Sequence, residues 1–184
     1  MTQFYKHNTK RLAVLAIFTL LPLLFLFNSC DKSQAGNSTT YVSSTNTVEA
    51  GKYLVTIAGC NDCHTPGYMQ NNGTTPQNEW LTGNPLGFKG PWGTTYPANL
   101  RLSVDKYNEA DWVNMCRTRE TMPPMPWPSL NKMSDQDLKA IYQFIKSLGP
   151  KGTAAPLMVA PGTEPQTPYI VFEPMHMERL QKVQ

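Results

Sequence analysis

Cys60-Asn61-Asp62-Cys63-His64 constrains this chain more than any other stretch, because two thiols three positions apart are followed at once by an imidazole. That spacing is the attachment signature of a c-type haem. Each Cys sulfur adds across one porphyrin vinyl group to give a thioether, and one helical turn brings both sulfurs to the same edge of the ring. His64 then stands where it reaches the iron. Covalent attachment lets a small domain hold its cofactor with few residues, while axial ligands and burial tune the potential. A bare Cys-x-x-Cys also serves as a redox dithiol or as half of a structural zinc site, but such zinc takes four ligands and usually a second pair of Cys or His. The other residues of these types, Cys30, Cys116, His7 and His176, are scattered along the chain. One covalently attached haem c is the expected cofactor.

The first thirty residues read as an address rather than as structure. Lys6, Lys10 and Arg11 form a basic start, Leu12 to Phe27 form an apolar run broken by Thr19 and Pro22, and Asn28-Ser29-Cys30 puts a small residue before a Cys. This pattern resembles the lipobox of bacterial lipoproteins, in which the Cys at the position of Cys30 receives lipid and becomes the mature N-terminus. The competing reading is an uncleaved anchor, but the run is shorter than the roughly 20 residues a span prefers and contains a proline. Residues 1–29 are therefore expected to be a signal peptide, with Cys30 as the lipidation site. Residues 30–46 are rich in Ser, Thr, Asn and Gln and read as a flexible tether with a root-mean-square span on the order of 20 Å. The expected location is extracytoplasmic, on the periplasmic side of a bacterial membrane.

Charge supports this division. The formal +3 comes from Lys6, Lys10 and Arg11, and without them thirteen Lys and Arg face thirteen Asp and Glu. A nucleic-acid binder is not expected of so balanced a chain. It also carries no phosphate-cradling glycine loop, nucleophile elbow or zinc-hydrolase helix motif.

Residues 47–149 have the size of one small domain. A first helix is expected from about Thr47 to the haem motif, with Val48, Gly51, Val55 and Ala58 along one stripe and Leu54 beside it. Gly51 costs about 1 kcal/mol relative to Ala within a helix, which suggests a close helix crossing there. A middle helix begins after Asn108, with Asp111 at the third position and Trp112, Val113, Met115 and Cys116 facing inward. Unpaired Cys116 on that face reads as an inert small hydrophobe. The last helix has Ser134 as cap, Asp137 three residues on, a Met133–Leu138 staple and Gly149-Pro150 as its stop. Residues 65–102 lack sustained periodicity and read as a long loop carrying Trp80, Leu86, Phe88, Trp92 and Tyr96, with haem as the surface expected to organise it. Beyond Gly149, six prolines between Pro150 and Pro174 mark 150–184 as a Pro-rich C-terminal extension. Its Tyr169-Ile170-Val171-Phe172 is too apolar to sit comfortably in water, so the extension is expected to pack back on the domain or dock to a neighbouring subunit.

A low-spin electron-transfer haem takes a sixth ligand, and thioether sulfur favours ferrous iron. Thr121-Met122-Pro123-Pro124-Met125-Pro126-Trp127-Pro128 is the obvious source, with prolines expected to hold an extended backbone. Met125, flanked by Pro124 and Pro126, is the first candidate; Met122 is the second, with His176 or an open site as the remaining options. Nine Met occur in the chain, so most must be packing residues.

A helix leading to Cys60-x-x-Cys63-His64, a loop, a middle helix, a Met-Pro loop and a closing helix resemble class I cytochrome c. Cys63-His64-Thr65-Pro66, Gly93-Thr94-Thr95-Tyr96-Pro97-Ala98-Asn99-Leu100, Pro124-Met125-Pro126-Trp127 and Asp137-Leu138-Lys139-Ala140-Ile141-Tyr142 resemble, more narrowly, the cytochrome c domains associated with membrane-bound alcohol and gluconate dehydrogenases. The resemblance implies an all-α fold of three or more helices around the haem, with the first and last helices crossing and His64 and Met125 on opposite haem faces. It also implies a proline carbonyl that orients His64, for which Pro85 and Pro91 are both candidates, and it leaves Arg117 and Arg119 either at a haem propionate or at a solvated helix end. This chain has one haem motif where those relatives have several. The function this implies is an electron carrier without a substrate site of its own, taking single electrons from a dehydrogenase donor and passing them to an oxidase or reductase. The alternatives are a haem peroxidase or gas sensor with an open distal site, and the haem subunit of a larger dehydrogenase or respiratory complex.

Overall fold

A computed structural model of the chain describes residue 42 and residues 44–182. The expected signal peptide, Cys30 and most of the tether lie outside the described residues.

Helix α1, Thr47–Ile57, starts where the Asn46 side chain accepts hydrogen bonds from the backbone N–H groups of Val48 and Glu49 at 3.0 and 3.2 Å. It buries Ala50, Gly51, Leu54 and Val55. The helix does not run unbroken into the haem motif as the sequence suggested. Gly59, at φ 67°, turns the chain through the left-handed region open to a residue without a Cβ, and a separate short helix α2, Cys60–His64, begins after it. The Cys-x-x-Cys-His turn therefore has its own direction.

The closing helix α6, Asp135–Leu148, is capped by Ser134, whose Oγ accepts from Asp137 N–H at 3.1 Å, and it stops at Gly149. Its buried face carries Leu138, Ile141, Phe144 and Ile145. It crosses α1 at Gly51, where a Cβ would overlap the Ala140 carbonyl oxygen and stand 2.7 Å from Phe144 Cβ. The middle helix α4, Glu109–Thr118, is capped by Asn108, which accepts from Asp111 N–H at 2.9 Å. Trp112 of α4 lies edge-on to Tyr107 and tilted against Tyr142, and the Tyr142 hydroxyl donates to the Tyr107 carbonyl at 3.0 Å. Between them, α1, α4 and α6 bury one core with Leu81, Trp80 and Val104.

The all-α expectation is corrected by the remainder of the chain. Strands β1, Gly87–Gly90, and β2, Gly93–Thr95, form a hairpin closed by Pro91-Trp92, and β3, Tyr169–Val171, joins β1 in parallel to give the order β2-β1-β3. The C-terminal extension thus packs back on the domain, the first of its two expected fates. The segment 65–102 is correspondingly more ordered than a loop. Besides the hairpin it holds a 3-10 turn at Gln77–Glu79 and a one-turn helix α3, Leu100–Ser103, capped by Asn99. Its aromatics pack on protein: Trp80 lies edge-on to Tyr68 and Phe144, Phe88 and Trp92 meet Phe172 of the extension, and the Tyr96 hydroxyl accepts from Thr167.

Arg101 of α3, only 5% exposed, ties this segment to the helical core. Its guanidinium donates to the carbonyls of Gly149 at 2.5 Å, Asn78 at 2.8 Å and Leu148, so a cation satisfies carbonyls left open at the C-terminal end of α6.

Candidate haem site

Helix α2 brings Cys60, Cys63 and His64 together within one turn of backbone. His64 is buried, and its Nδ1 lies 2.7 Å from the carbonyl oxygen of Ala98. A carbonyl only accepts, so Nδ1 carries the proton and Nε2 keeps its lone pair for a metal. Burial lowers the His64 pKa against the opposing pull of the Ala98 carbonyl, which favours the neutral imidazole that ligates iron. The expectation that Pro85 or Pro91 supplies this carbonyl is corrected: both prolines are exposed, Pro91 at the hairpin tip, whereas Ala98 follows the buried Pro97. Three backbone bonds bring it there. Gly83 N–H donates to the His64 carbonyl at 2.9 Å, Asn84 N–H to the Pro97 carbonyl at 3.1 Å, and Leu100 N–H to the Leu81 carbonyl at 3.0 Å.

A buried polar pair missed in the sequence supports this arrangement. Thr65 Oγ1 donates to Asn61 Oδ1 at 2.7 Å and accepts from Leu81 N–H at 2.8 Å, and both side chains are almost fully buried. Leu81 sits at φ 62°, uncommon for a residue with a side chain, and is held there by Thr65 on one side and Leu100 on the other. The sequence signal for the pair is slight: Asn61 inside the motif and Thr65 just after it stand four apart, a spacing that also fits an exposed helix face.

The thiols point away from dithiol chemistry. Burial, chiefly, pushes the Cys60 thiol up to about 11, and burial followed by the Asp62 carboxylate raises Cys63. A redox dithiol needs the opposite, a thiolate stabilised at neutral pH. Two half-buried thiols on one helical turn beside an imidazole with a free Nε2 have the spacing that thioether attachment of one haem requires. Among the described residues, no cluster of three His, Cys, Asp or Glu suited to a metal ion occurs. Cys116 is fully buried and burial pushes its thiol up to about 12, in keeping with an inert packing residue.

Met125 is half-buried in the wall of a cleft of about 500 Å³ that also involves Thr121, Pro123, Trp127, Asn131 and Lys132. Met122 is 47% exposed. The loop is tighter than the extended form expected from its prolines. Pro126, at φ −80° and ψ 63°, is the centre of an inverse γ-turn in which Trp127 N–H donates to the Met125 carbonyl at 2.9 Å, and helix α5, Trp127–Leu130, follows directly. Side chains brace the turn: Trp127 Nε1 donates to Thr121 Oγ1 at 2.6 Å, and Asn131 Nδ2 donates to the Cys116 carbonyl at 2.6 Å. Thr95 Oγ1 of β2 donates to the Pro123 carbonyl at 2.7 Å, so the strand that leads to Ala98 also holds the methionine loop. Arg117 pairs with Asp135, Arg119 lies over the Trp127 ring, and His176 lies exposed in the extension beside Glu178.

The cytochrome c family matches residues 48–149, a span that runs from α1 through α6 and includes the Cys-x-x-Cys-His turn. The chain belongs to the cytochrome c family. Membership implies a covalently bound haem c, and Cys60, Cys63 and His64 fit the family's attachment motif. This cytochrome is 28% identical over 119 residues to the cytochrome c subunit of the quinone alcohol dehydrogenases of Gluconacetobacter polyoxogenes and Komagataeibacter europaeus, covering 59% of this chain and 23% of each relative. The corresponding subunit of Gluconobacter oxydans is 26% identical over 111 residues, covering 53% of this chain and 20% of the relative. The chain thus spans less than a quarter of the length of these relatives. No solved structure matches it. The narrower resemblance read in the sequence is supported, and the chain is an electron-transfer haem protein.

Proposed function

We propose that this cytochrome is a membrane-tethered carrier that relays single electrons between extracytoplasmic redox partners, with its haem joined to Cys60 and Cys63, ligated by His64 and Met125, and tethered through lipid on Cys30. The observation that carries the reading is the His64 Nδ1 bond to Ala98, which fixes the ring and leaves Nε2 as its ligating atom. Bound haem supplies a one-electron ferric/ferrous couple. Around it, this chain's residues keep His64 neutral, exclude water from the imidazole and hold the Met125 turn on a braced loop. A thioether distal ligand favours the ferrous state and raises the potential. With charge balanced after loss of the basic leader, docking is expected to be brief and over a small interface, the usual regime of redox partners. The names of the relatives point to a quinone-linked dehydrogenase as donor, and an oxidase or reductase is the acceptor. The test is fractionation of cells producing the full chain and a Cys30→Ala variant, with dehydrogenase-dependent reduction of the washed membranes. Haem that stays with membranes in the wild type, moves to the soluble fraction in the variant and is reduced by one electron per chain supports the proposal. Equal distribution of the two, or no reduction by any dehydrogenase substrate, contradicts it.

A second reading, a haem subunit fixed in a larger complex, is favoured by the apolar side chains the extension leaves exposed, among them Leu157, Ile170, Val171 and Met175. Sedimentation of gently solubilised membranes separates the two: a free carrier runs near its own mass and a subunit runs with its complex.

A further inference from the structure

The end of hairpin β1–β2 leads through a few residues from the methionine loop to His64. At its end, Thr95 holds the Met125 loop through the Pro123 carbonyl, and three residues later Ala98 holds His64. Both contacts depend on where this short hairpin lies. A two-stranded hairpin of three or four residues per strand is marginal by itself in water. Here the C-terminal extension reinforces it from two sides. On the β2 side, Thr94 and Val159 exchange backbone hydrogen bonds at 2.8 and 2.9 Å, an antiparallel bridge that buries Thr94 completely. On the β1 side, β3 pairs in parallel, with Gly87 N–H donating to Pro168 at 2.8 Å and Phe172 N–H to Lys89 at 2.7 Å. Side chains reinforce the ladder: Phe172 packs edge-on to Phe88, and Thr167 Oγ1 donates to the Tyr96 hydroxyl at 2.8 Å, one residue from Thr95. Further along, Asn99 Nδ2 donates to the carbonyls of Lys151 and Thr153, fixing the residue after Ala98 to the start of the extension.

We propose that the C-terminal extension is a positioning element for the axial ligands: by clamping β1–β2 it sets Thr95 against the Met125 loop and Ala98 against His64, and so sets how tightly the distal methionine is held. The proposal rests on the reading of Met125 as distal ligand. The extension does not touch the reacting atoms; it acts through Thr95 and Ala98. Its loss frees the hairpin, weakens the Thr95–Pro123 bond and raises the fraction of time the methionine is off the metal.

The experiment is stopped-flow binding of imidazole to the ferric holoprotein. At saturating imidazole the rate is limited by departure of the distal ligand. Wild type is compared with Met125→Ala, Thr95→Val, a chain lacking 158–184, and a full-length Thr167→Val/Phe172→Ala variant, with far-UV circular dichroism and the unfolding midpoint measured on each. Thr95→Val is expected to raise the limiting rate about three- to tenfold, the range of one net hydrogen bond. The full-length double variant and the truncated chain are expected to do the same with helix content unchanged, and adding Thr95→Val to the double variant should give less than the product of the separate effects, because both act through one contact. A folded double variant whose limiting rate equals wild type, or effects that simply multiply, overturns the proposal. If truncation prevents folding, the full-length double variant decides. Should Met125→Ala bind imidazole no faster than wild type, the ligand assignment itself fails and the proposal with it, an outcome distinct from tail variants that match a wild type clearly slower than Met125→Ala.

Discussion

His64 depends on residues that no local pattern connects to it. The Cys-x-x-Cys-His motif was legible because thioether attachment demands a fixed local spacing, whereas the carbonyl that orients the ring lies 34 residues away and belongs to backbone, which carries no residue-type signal. Any residue in place of Ala98 presents the same oxygen, so residue type alone does not separate it from Pro85 or Pro91. Thr65 is the side chain that makes this geometry testable. Its hydroxyl fills the acceptor Asn61 Oδ1 and satisfies the buried Leu81 N–H, so Thr65→Val keeps the shape and leaves that N–H unpaired. The variant should lose about 1–3 kcal/mol of stability in denaturant unfolding of the holoprotein; an unchanged midpoint would mean that water replaces the hydroxyl and the pair is not structural. Cys116 gives a second residue-level test. Its thiol is pushed up to about 12 and is fully buried, so from pH 7 to pH 9 it stays protonated. Iodoacetamide at pH 8 should leave it unmodified in the native protein and alkylate it on denaturation, and rapid native labelling would show that α4 opens or that the thiol is not buried.

At the scale of elements, the helices were readable and the sheet was not. Asn108 and Ser134 cap α4 and α6 through hydrogen bonds whose partners lie three residues away, so sequence contains both ends of each interaction. Gly51 was readable for a different reason: a glycine within an amphipathic helix has a cost that a close crossing explains. Gly51→Val should therefore push α1 and α6 apart against the Ala140 carbonyl and Phe144, with a loss of about 1–3 kcal/mol or more in urea unfolding. Retention of wild-type stability would mean that the crossing relaxes freely and that close approach is not what glycine serves there. The break at Gly59 was hidden because its residues are compatible with a continuing helix; only the separate direction of α2 requires it. Strand β3 pairs with residues about eighty positions earlier, and a three-residue strand has no periodicity strong enough to announce a parallel partner at that distance. Arg101 was equally silent, since a single cation in a proline- and glycine-rich stretch reads as solvated until the C-terminal end of α6 is seen against it.

For the molecule as a whole, the helical domain supplies the turn that carries both thiols and His64, while the extension and hairpin flank the segment that runs from Thr95, bonded to the Pro123 carbonyl, to Ala98, bonded to His64. The aromatics of 65–102 are held by the helical core on one side and by the extension on the other, which gives so proline-rich a region protein contacts along much of its length. One haem c, proposed to lie between His64 and Met125, would make this chain a closed, six-coordinate electron carrier. The visible spectrum of the purified holoprotein, ferrous, with and without carbon monoxide and beside Met125→Ala, tests this most directly. Six-coordinate iron should give a c-type spectrum that carbon monoxide leaves unchanged in the wild type and changes in the variant. A wild-type spectrum that shifts on adding carbon monoxide would contradict it, placing an open iron in the protein and making a peroxidase or gas sensor the better description.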